Sequence, residues 1–267
     1  MTTKTNTRLV FHFYASENIF SSEISEIHFK CLSRYSELFD SAVFIISVDD
    51  TNRTDIINYV KNRLIEGGYY NNVTFHIIKN NELRETATFY DFIASKLGDL
   101  DGLTFFGHSK GVGNEIDGVA NESVKEWIKA SYFLNMAFFD EVIELLVEKP
   151  YGISYGALKC SWNEIDNANK WIYSGTFFWL NTQRLKRFLD KRNVNIKKPD
   201  DRYYSELFCG EHLPIERASV SHEAYYLFGD GCKKWYDNAP MYIDYYLLTD
   251  QDKEKYKVFK TEIEDEK

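Results

Sequence analysis

The chain has 267 residues, 44% hydrophobic and 16% aromatic, with a formal net charge of −9. Such a composition supplies a large core and excludes disorder of the whole chain, while the acidic balance and scattered Lys and Arg exclude the basic stripe of a nucleic-acid binder. The four cysteines, Cys31, Cys160, Cys209 and Cys232, stand far apart without metal-ligand spacing, and no run of about 18 apolar residues occurs, so free thiols, a cytoplasmic location and at most peripheral contact with the inner face of a membrane are expected.

Leu9–Tyr14 reads as a strand, and Ser22–Phe39 repeats apolar residues at helical spacing through Ile24, Ile27, Cys31, Leu32, Tyr35 and Leu38. Ala42–Val48 is a second strand ending in Asp49-Asp50, Thr54–Ile65 an amphipathic helix, Val73–Ile78 a third strand, Thr86–Leu97 a helix and Leu103–Phe106 a fourth strand. Two helices follow at Val124–Phe133 and Asn135–Val147, stopped by Pro150. Trp171–Asn181 reads as one buried strand, Thr182–Leu189 as a helix with Thr182 as N-cap, and Tyr203–Phe208 as a further helical turn. Residues 250–267 are charged and read as a solvated helix or frayed tail, leaving residues 1–249 as one domain.

Alternating strands and helices predict an α/β fold of Rossmann-like type, a mostly parallel sheet flanked by helices on both faces. Such sheets bind ligands beyond the carboxyl ends of their strands, here Tyr14–Glu17, Ser47–Asp50, Lys79–Arg84 and Gly107–Gly111. The strongest local pattern runs from Thr104 to Gly113, an apolar strand entering a turn with three glycines, His108 and Lys110. Backbone N–H groups and a cation gathered in such a turn suit a diphosphate, though a Gly-rich turn with a solvated Lys accounts for the same residues. Arg84, after Asn80-Asn81-Glu82-Leu83, can grip a phosphate bidentately or simply pair with a neighbouring acid at a helix start. Around Ser174-Gly175-Thr176, the aromatics Trp171 and Trp179 present faces that suit sugar rings or fill a core. Downstream, Glu206, then Asp201 and Glu211, are candidate general bases; a charged helix face explains them without chemistry.

Asn80–Glu85 followed by Phe89, the strand ending in His108-Ser109-Lys110-Gly111, Trp127 in a helix and Ser174-Gly-Thr-Phe-Phe-Trp179 together resemble the rhamnan synthesis F group and related capsule or O-antigen glycosyltransferases. Their pattern is roughly N-x-G-R-D, H-[ST]-K and G-x-[FM]-F-W in this order, and the resemblance spans about residues 9 to 212. It implies a GT-A-like fold, a nucleotide-diphospho-sugar donor and transfer of sugar to a glycan or lipid-linked glycan acceptor in bacterial surface-polysaccharide synthesis. On that reading Tyr14, Ala15, Asp49, Asp50, Arg84, His108, Lys110 and Gly111 face the donor, and Trp171, Ser174, Gly175, Thr176 and Trp179 the acceptor.

Two departures stand out. Glu82-Leu83-Arg84-Glu85 occupies the place where Gly-Arg-Asp is commoner. Where many GT-A enzymes hold Mn²⁺ or Mg²⁺ on Asp-x-Asp, this chain has Gly107-His108-Ser109-Lys110, so no metal ligand is assigned; Asp99-Leu100-Asp101 precedes its strand, at the wrong edge of the sheet. Two other readings remain: a glycan-binding module that has lost catalysis, and a serine hydrolase. The hydrolase would use Ser109 in the literal G-x-S-x-G of 107–111, with His212 or His222 and Asp200, Asp201 or Glu206 as partners.

Overall fold

The computed structural model describes residues 5–112, 122–156, 159–161, 171–173, 175–213, 218–220 and 249–265, the side chains of 159–161, 171 and 218–220 excepted. The polar stretch 114–121, Ser174, the Trp171 ring, His222, Cys160 and Cys232 therefore lie outside the description. A seven-stranded sheet has the order β3-β2-β1-β4-β8-β5-β9. Its first four strands, β1 (Thr7–Tyr14), β2 (Ser41–Val48), β3 (Val73–Lys79) and β4 (Leu103–His108), are mutually parallel. Beyond them β8 (Phe178–Asn181) runs antiparallel to both β4 and β5 (Ser154–Gly156), and β9 (Ala218–Val220) lies parallel to β5. A separate ribbon pairs β6 (Lys159–Ser161) with β7 (Trp171–Tyr173). This is the expected α/β class, a mostly parallel sheet flanked by helices.

Alternation along the strands divides the core between the two faces of the sheet. In β1, Leu9, Phe11 and Phe13 join the larger cluster under α1 (Glu23–Arg34), α2 (Thr54–Glu66) and α4 (Glu122–Met136). Val10, with Ile45 of β2 and Phe106 of β4, faces the smaller cluster under α3 (Glu85–Phe92), α6 (Thr182–Lys191) and α7 (Tyr204–His212). Ser22 starts α1 as N-cap, its Oγ accepting from Ser25 N at 3.0 Å.

Three expectations change. Trp171–Asn181 is not one strand: Gly175 and Thr176 both take positive φ, 90° and 60°, and the chain turns between β7 and β8. The cap of α6 is Asn181, whose Oδ1 accepts from Arg184 N at 3.0 Å, so Thr182 is the first helical residue. The second helix after α4 is short, α5 (Phe139–Ile143), and continues as a π-helical turn to Glu148.

The charged end of the chain is a docked helix, α8 (Asp250–Asp265), rather than a solvated or frayed one. Tyr256, Phe259 and Ile263 are buried in the larger cluster against α1 and α4. Lys129 of α4, nearly buried, meets Glu264 and Glu126, while Lys260 reaches Glu126 at 2.8 Å. Charges that look like a solvated face in sequence are thus spent partly on a helix interface. Phe259→Ala should destabilise the protein by about 3 kcal/mol, as large aromatic truncations in cores do. Chemical denaturation checks this; a loss below about 0.5 kcal/mol is what an undocked tail would give.

Candidate functional site

The strand order reverses between β1 and β4, because β2 and β3 continue outward from β1 on one side and β4 lies on the other. Ligand crevices of open α/β sheets form at such a switch point, beyond the carboxyl ends. The two flanking strands end at Tyr14 and His108, and Tyr14 N donates to Ser109 Oγ at 2.7 Å while Ser109 N donates to His12 O at 2.9 Å. The bottom of the crevice is therefore stitched shut, and its contents come from the next residues of each loop.

On the β1–β2 side, Tyr14 OH donates to Asp49 Oδ2 at 2.8 Å and Asn80 Nδ2 donates to Asp49 Oδ1 at 3.1 Å. One carboxylate thus ties together the ends of three strands. Burial, the hydrogen bond to Asp49 and that carboxylate's charge push the Tyr14 hydroxyl up to about 12, against the opposing charge of Arg84. Arg84 itself is exposed and immediately precedes α3, with φ of 48°, a conformation rare for a side chain of this size. Ala15 is buried, its N–H closing onto Ser47 O at 2.9 Å. Asp50 turns into its own loop, where Oδ1 accepts from Asn52 N at 2.9 Å.

On the β4 side, Lys110 Nζ lies 3.8 Å from Glu206 Oε1 and 5.3 Å from the centre of the Trp127 ring. Both partners of this ion pair are largely buried, so solvent screens it weakly. Gly111 has φ of 91°, and a Cβ there would come 2.7 Å from Val124 Cγ1. From beneath, His28 of α1 fixes the loop: its Nε2 donates to Lys110 O at 3.0 Å while Nδ1 accepts from Tyr132 OH at 2.8 Å. The other wall is α7. Thr86 Oγ1 donates to Arg202 O at 2.6 Å, meets Ser205 Oγ at 3.0 Å and accepts from Ser205 N, and this latch places Glu206 one residue further along.

His108 is committed to the scaffold. Its Nε2 donates to Gly175 O at 3.0 Å and its Nδ1 faces Glu85 Oε2 at 3.6 Å, so neither ring nitrogen is turned to a donor phosphate as the sequence suggests. Burial would raise the Glu85 pKa, but the charge of His108, its hydrogen bond and the neighbouring His12 hold the carboxyl well below the ordinary range. Gly175 accommodates this clamp: a Cβ would lie 2.3 Å from Trp127 Cζ2.

The remaining assignments separate. Asp201 is exposed and builds the turn into α7, its Oδ1 accepting from Tyr203 N at 2.9 Å, and Glu211 is exposed toward the other end of that helix. Glu206 alone of the three carboxylates faces the crevice cation. Trp179 is fully buried, its Nε1 donating to Asn135 O at 2.8 Å among Phe39, Phe105 and Phe139, so its ring serves the core and offers no face to an acceptor. Thr176 is likewise fully buried.

Residues with no signal as site residues in the sequence include His12, His28, Thr86 and Ser205. The hydrolase reading loses its geometry. Among the described residues no imidazole lies within hydrogen-bond distance of Ser109 Oγ, which is held by the Tyr14 backbone. His212 sits in the last turn of α7 against Phe208, and Ser109 lacks the positive φ of a strained elbow.

Among the described residues the strand-end loops offer few uncommitted donors to a divalent cation. The loop after β4 offers an imidazole with both nitrogens engaged, a hydroxyl taken by a backbone N–H and an ammonium, and Asp49 already accepts on both oxygens. Among the described residues no group of three or more His, Cys, Asp or Glu gathers as metal ligands.

No protein-family model and no curated protein matches this chain. Among solved structures it is similar to that of 4-diphosphocytidyl-2C-methyl-D-erythritol synthase, at 13% sequence identity and a TM-score of 0.39, over 90% of this chain and 98% of that one. Likeness at this level assigns no chemistry.

Two buried rings make the site's stability pH-dependent. Burial lowers His12 to about 4, with Glu85 opposing, and lowers His28 to about 3, with its bond to the Lys110 carbonyl opposing. Unfolding restores ordinary rings, so between about pH 6.5 and pH 4 the unfolded chain binds more protons and stability falls as pH falls, by about 1.4 kcal/mol per pH unit for each ring. The depressed Glu85 acts in a lower window, its contribution fading as pH drops below the ordinary carboxylate range. Denaturation of His12→Asn across that upper window should show the slope reduced by about one ring's share, about 1.4 kcal/mol per unit. An unchanged slope would mean that His12 titrates normally in the folded protein.

Proposed function

We propose that this protein is a glycosyltransferase that moves a sugar from a nucleotide-diphospho-sugar to a glycan acceptor in bacterial surface-polysaccharide synthesis. The observation that supports the reading is the convergence, at the switch point between β1 and β4, of the Tyr14–Asp49 pair on one side and the Lys110–Glu206 pair on the other. In this reading the nucleoside lies along Tyr14 and Asp49, and the diphosphate reaches toward Lys110 and Arg84. Glu206 and Lys110 then divide the work of transfer. The acceptor oxygen attacks the anomeric carbon as its proton passes to the Glu206 carboxylate; the bond from that carbon to the diphosphate breaks, and its electron pair leaves on the diphosphate oxygen beside the Lys110 ammonium. As the proton arrives on Glu206, its attraction for Lys110 weakens, leaving the ammonium for the leaving group. This is an inverting displacement whose leaving-group charge is met by a side chain. The role of His108 is indirect, through the Gly175 carbonyl and the Glu85 carboxylate.

The first test is a thermal-shift screen against UDP, GDP, dTDP and CMP with Mn²⁺, Mg²⁺ or EDTA, since a ligand bound only by the native state raises its stability. One nucleotide is expected to shift the transition, and Tyr14→Phe to reduce that shift. Once the donor is known, Lys110→Ala and Glu206→Gln should each lower kcat by about 10²-fold or more, with the Glu206 variant still binding donor. No shift with any nucleotide, together with binding of an oligosaccharide, would replace this reading with a glycan-binding module.

A further inference from the structure

Lys and Arg are scattered over most of the sequence, but residues 184–198 carry seven of the chain's 32 basic residues against a single acid, Asp190. In α6 the apolar side, Leu185 and Leu189, is buried in the core, which sends the basic residues outward. Two of them are engaged: Arg184 donates to the carbonyls of Val147, Lys149 and Gly152, and Lys186 pairs with Asp190. Arg187, Lys191, Arg192, Lys197 and Lys198 are exposed, and among the described residues no carboxylate lies within ion-pairing distance of any of them. A chain of net charge −9 thus gathers five exposed cations on one helix and the segment after it.

This face leads toward the start of α3, beside the loop that carries Arg84. After α6 the chain passes from Lys197 to Lys198 and Pro199, which line a depression of about 460 Å³ with Asn81, Leu83 and Tyr90 and with two acids, Glu82 and Asp91. Asn81, Glu82 and Leu83 directly precede Arg84, and four residues beyond Lys198 the chain reaches the Arg202 carbonyl latched by Thr86.

We propose that Arg187, Lys191, Arg192, Lys197 and Lys198 dock this protein on an anionic lipid surface, with the loop that carries Arg84 toward the membrane. A planar anionic surface meets one face of the molecule only, whereas a long polyanion extends past the patch into the acidic remainder and is repelled. No exposed aromatic is interleaved on which bases could stack; Phe188 is partly buried beneath Arg192, whose guanidinium lies 4.3 Å from its ring centre. Because the apolar side of α6 is already packed, the contact is electrostatic and without insertion. No described helix is long and apolar enough to cross a membrane.

The test is co-sedimentation of the full chain with vesicles, and it stands apart from the transfer reaction because no nucleotide enters it. Binding is expected to phosphatidylcholine vesicles containing about one third phosphatidylglycerol, not to phosphatidylcholine alone, and is expected to disappear at about 0.5 M NaCl. Combined Arg187→Glu, Lys191→Glu and Lys197→Glu should lower partitioning at least about tenfold, and the milder Lys197→Gln with Lys198→Gln should lose part of it. Reversal of Lys255 and Lys257 on α8 should leave partitioning within about twofold, with circular dichroism checking that every variant is folded. No partitioning onto the anionic vesicles, equal partitioning by the triple variant, or tighter binding to duplex DNA than to vesicles would each overturn the proposal.

Discussion

A largely sheltered carboxylate organises this site. Glu85 sits at the first turn of α3 with little exposure, and an isolated charge there would be driven to its neutral form. It stays ionised because His108 comes within 3.6 Å and the helix start adds its own positive end. That requirement fixes the His108 ring, and the fixed ring leaves Nε2 free to hold Gly175 O. One side-chain contact thereby couples the end of β4, the beginning of α3 and the turn before β8. None of these three segments is regular enough to position itself.

The consequences spread outward from that contact. With α3 anchored, Thr86 presents its hydroxyl to Arg202 and Ser205, so α7 can approach in a single register. With the turn at 175–176 anchored, Trp127 packs against Gly175 and supports Lys110 from the side. The Lys110–Glu206 pair is the product of both, one member delivered by β4 and the other by α7. A buried pair of this kind is poor evidence of stabilisation, since desolvating both charges cancels much of their attraction. Its value lies in keeping a carboxylate and an ammonium ready in a place with little water, as the proposed displacement needs.

The strands and loops of the first half are legible in sequence because each strand is a short β-branched or aromatic run closed by polar residues, and a parallel sheet places its crevice by topology alone. Tyr14, Asp49 and Lys110 follow from that rule. His12 and His28 do not, because a histidine within an apolar run reads like any core residue until its partners, Thr88 for one and Tyr132 for the other, arrive from distant parts of the chain. Thr86 and Ser205 are hidden for the same reason, being 119 residues apart. Trp179 misleads in the opposite direction: an aromatic four residues beyond a glycine looks like a sugar platform, yet periodicity across the break at Gly175 and Thr176 cannot be followed, so its inward direction is invisible. The same limit applies to α8, where three apolar residues among many charges are enough to dock a helix.

The acidic net charge poses a problem that the architecture answers locally. Screening confines exposed charges to about 8 Å at physiological ionic strength, so a ligand responds to the nearest groups and the total matters only during approach. Lys110 lies in a largely buried setting where screening is weak, and one ammonium there can oppose a diphosphate despite the surrounding acid. The exposed cations after Arg184 work under the opposite condition, each weak and easily screened, and gain strength only by acting together on an extended surface. Salt should therefore separate the two: a donor held in the crevice keeps most of its affinity as ionic strength rises, whereas attachment through the α6 face is lost. The two positive regions of this acidic chain answer to different physics because one is sheltered from water and the other is not.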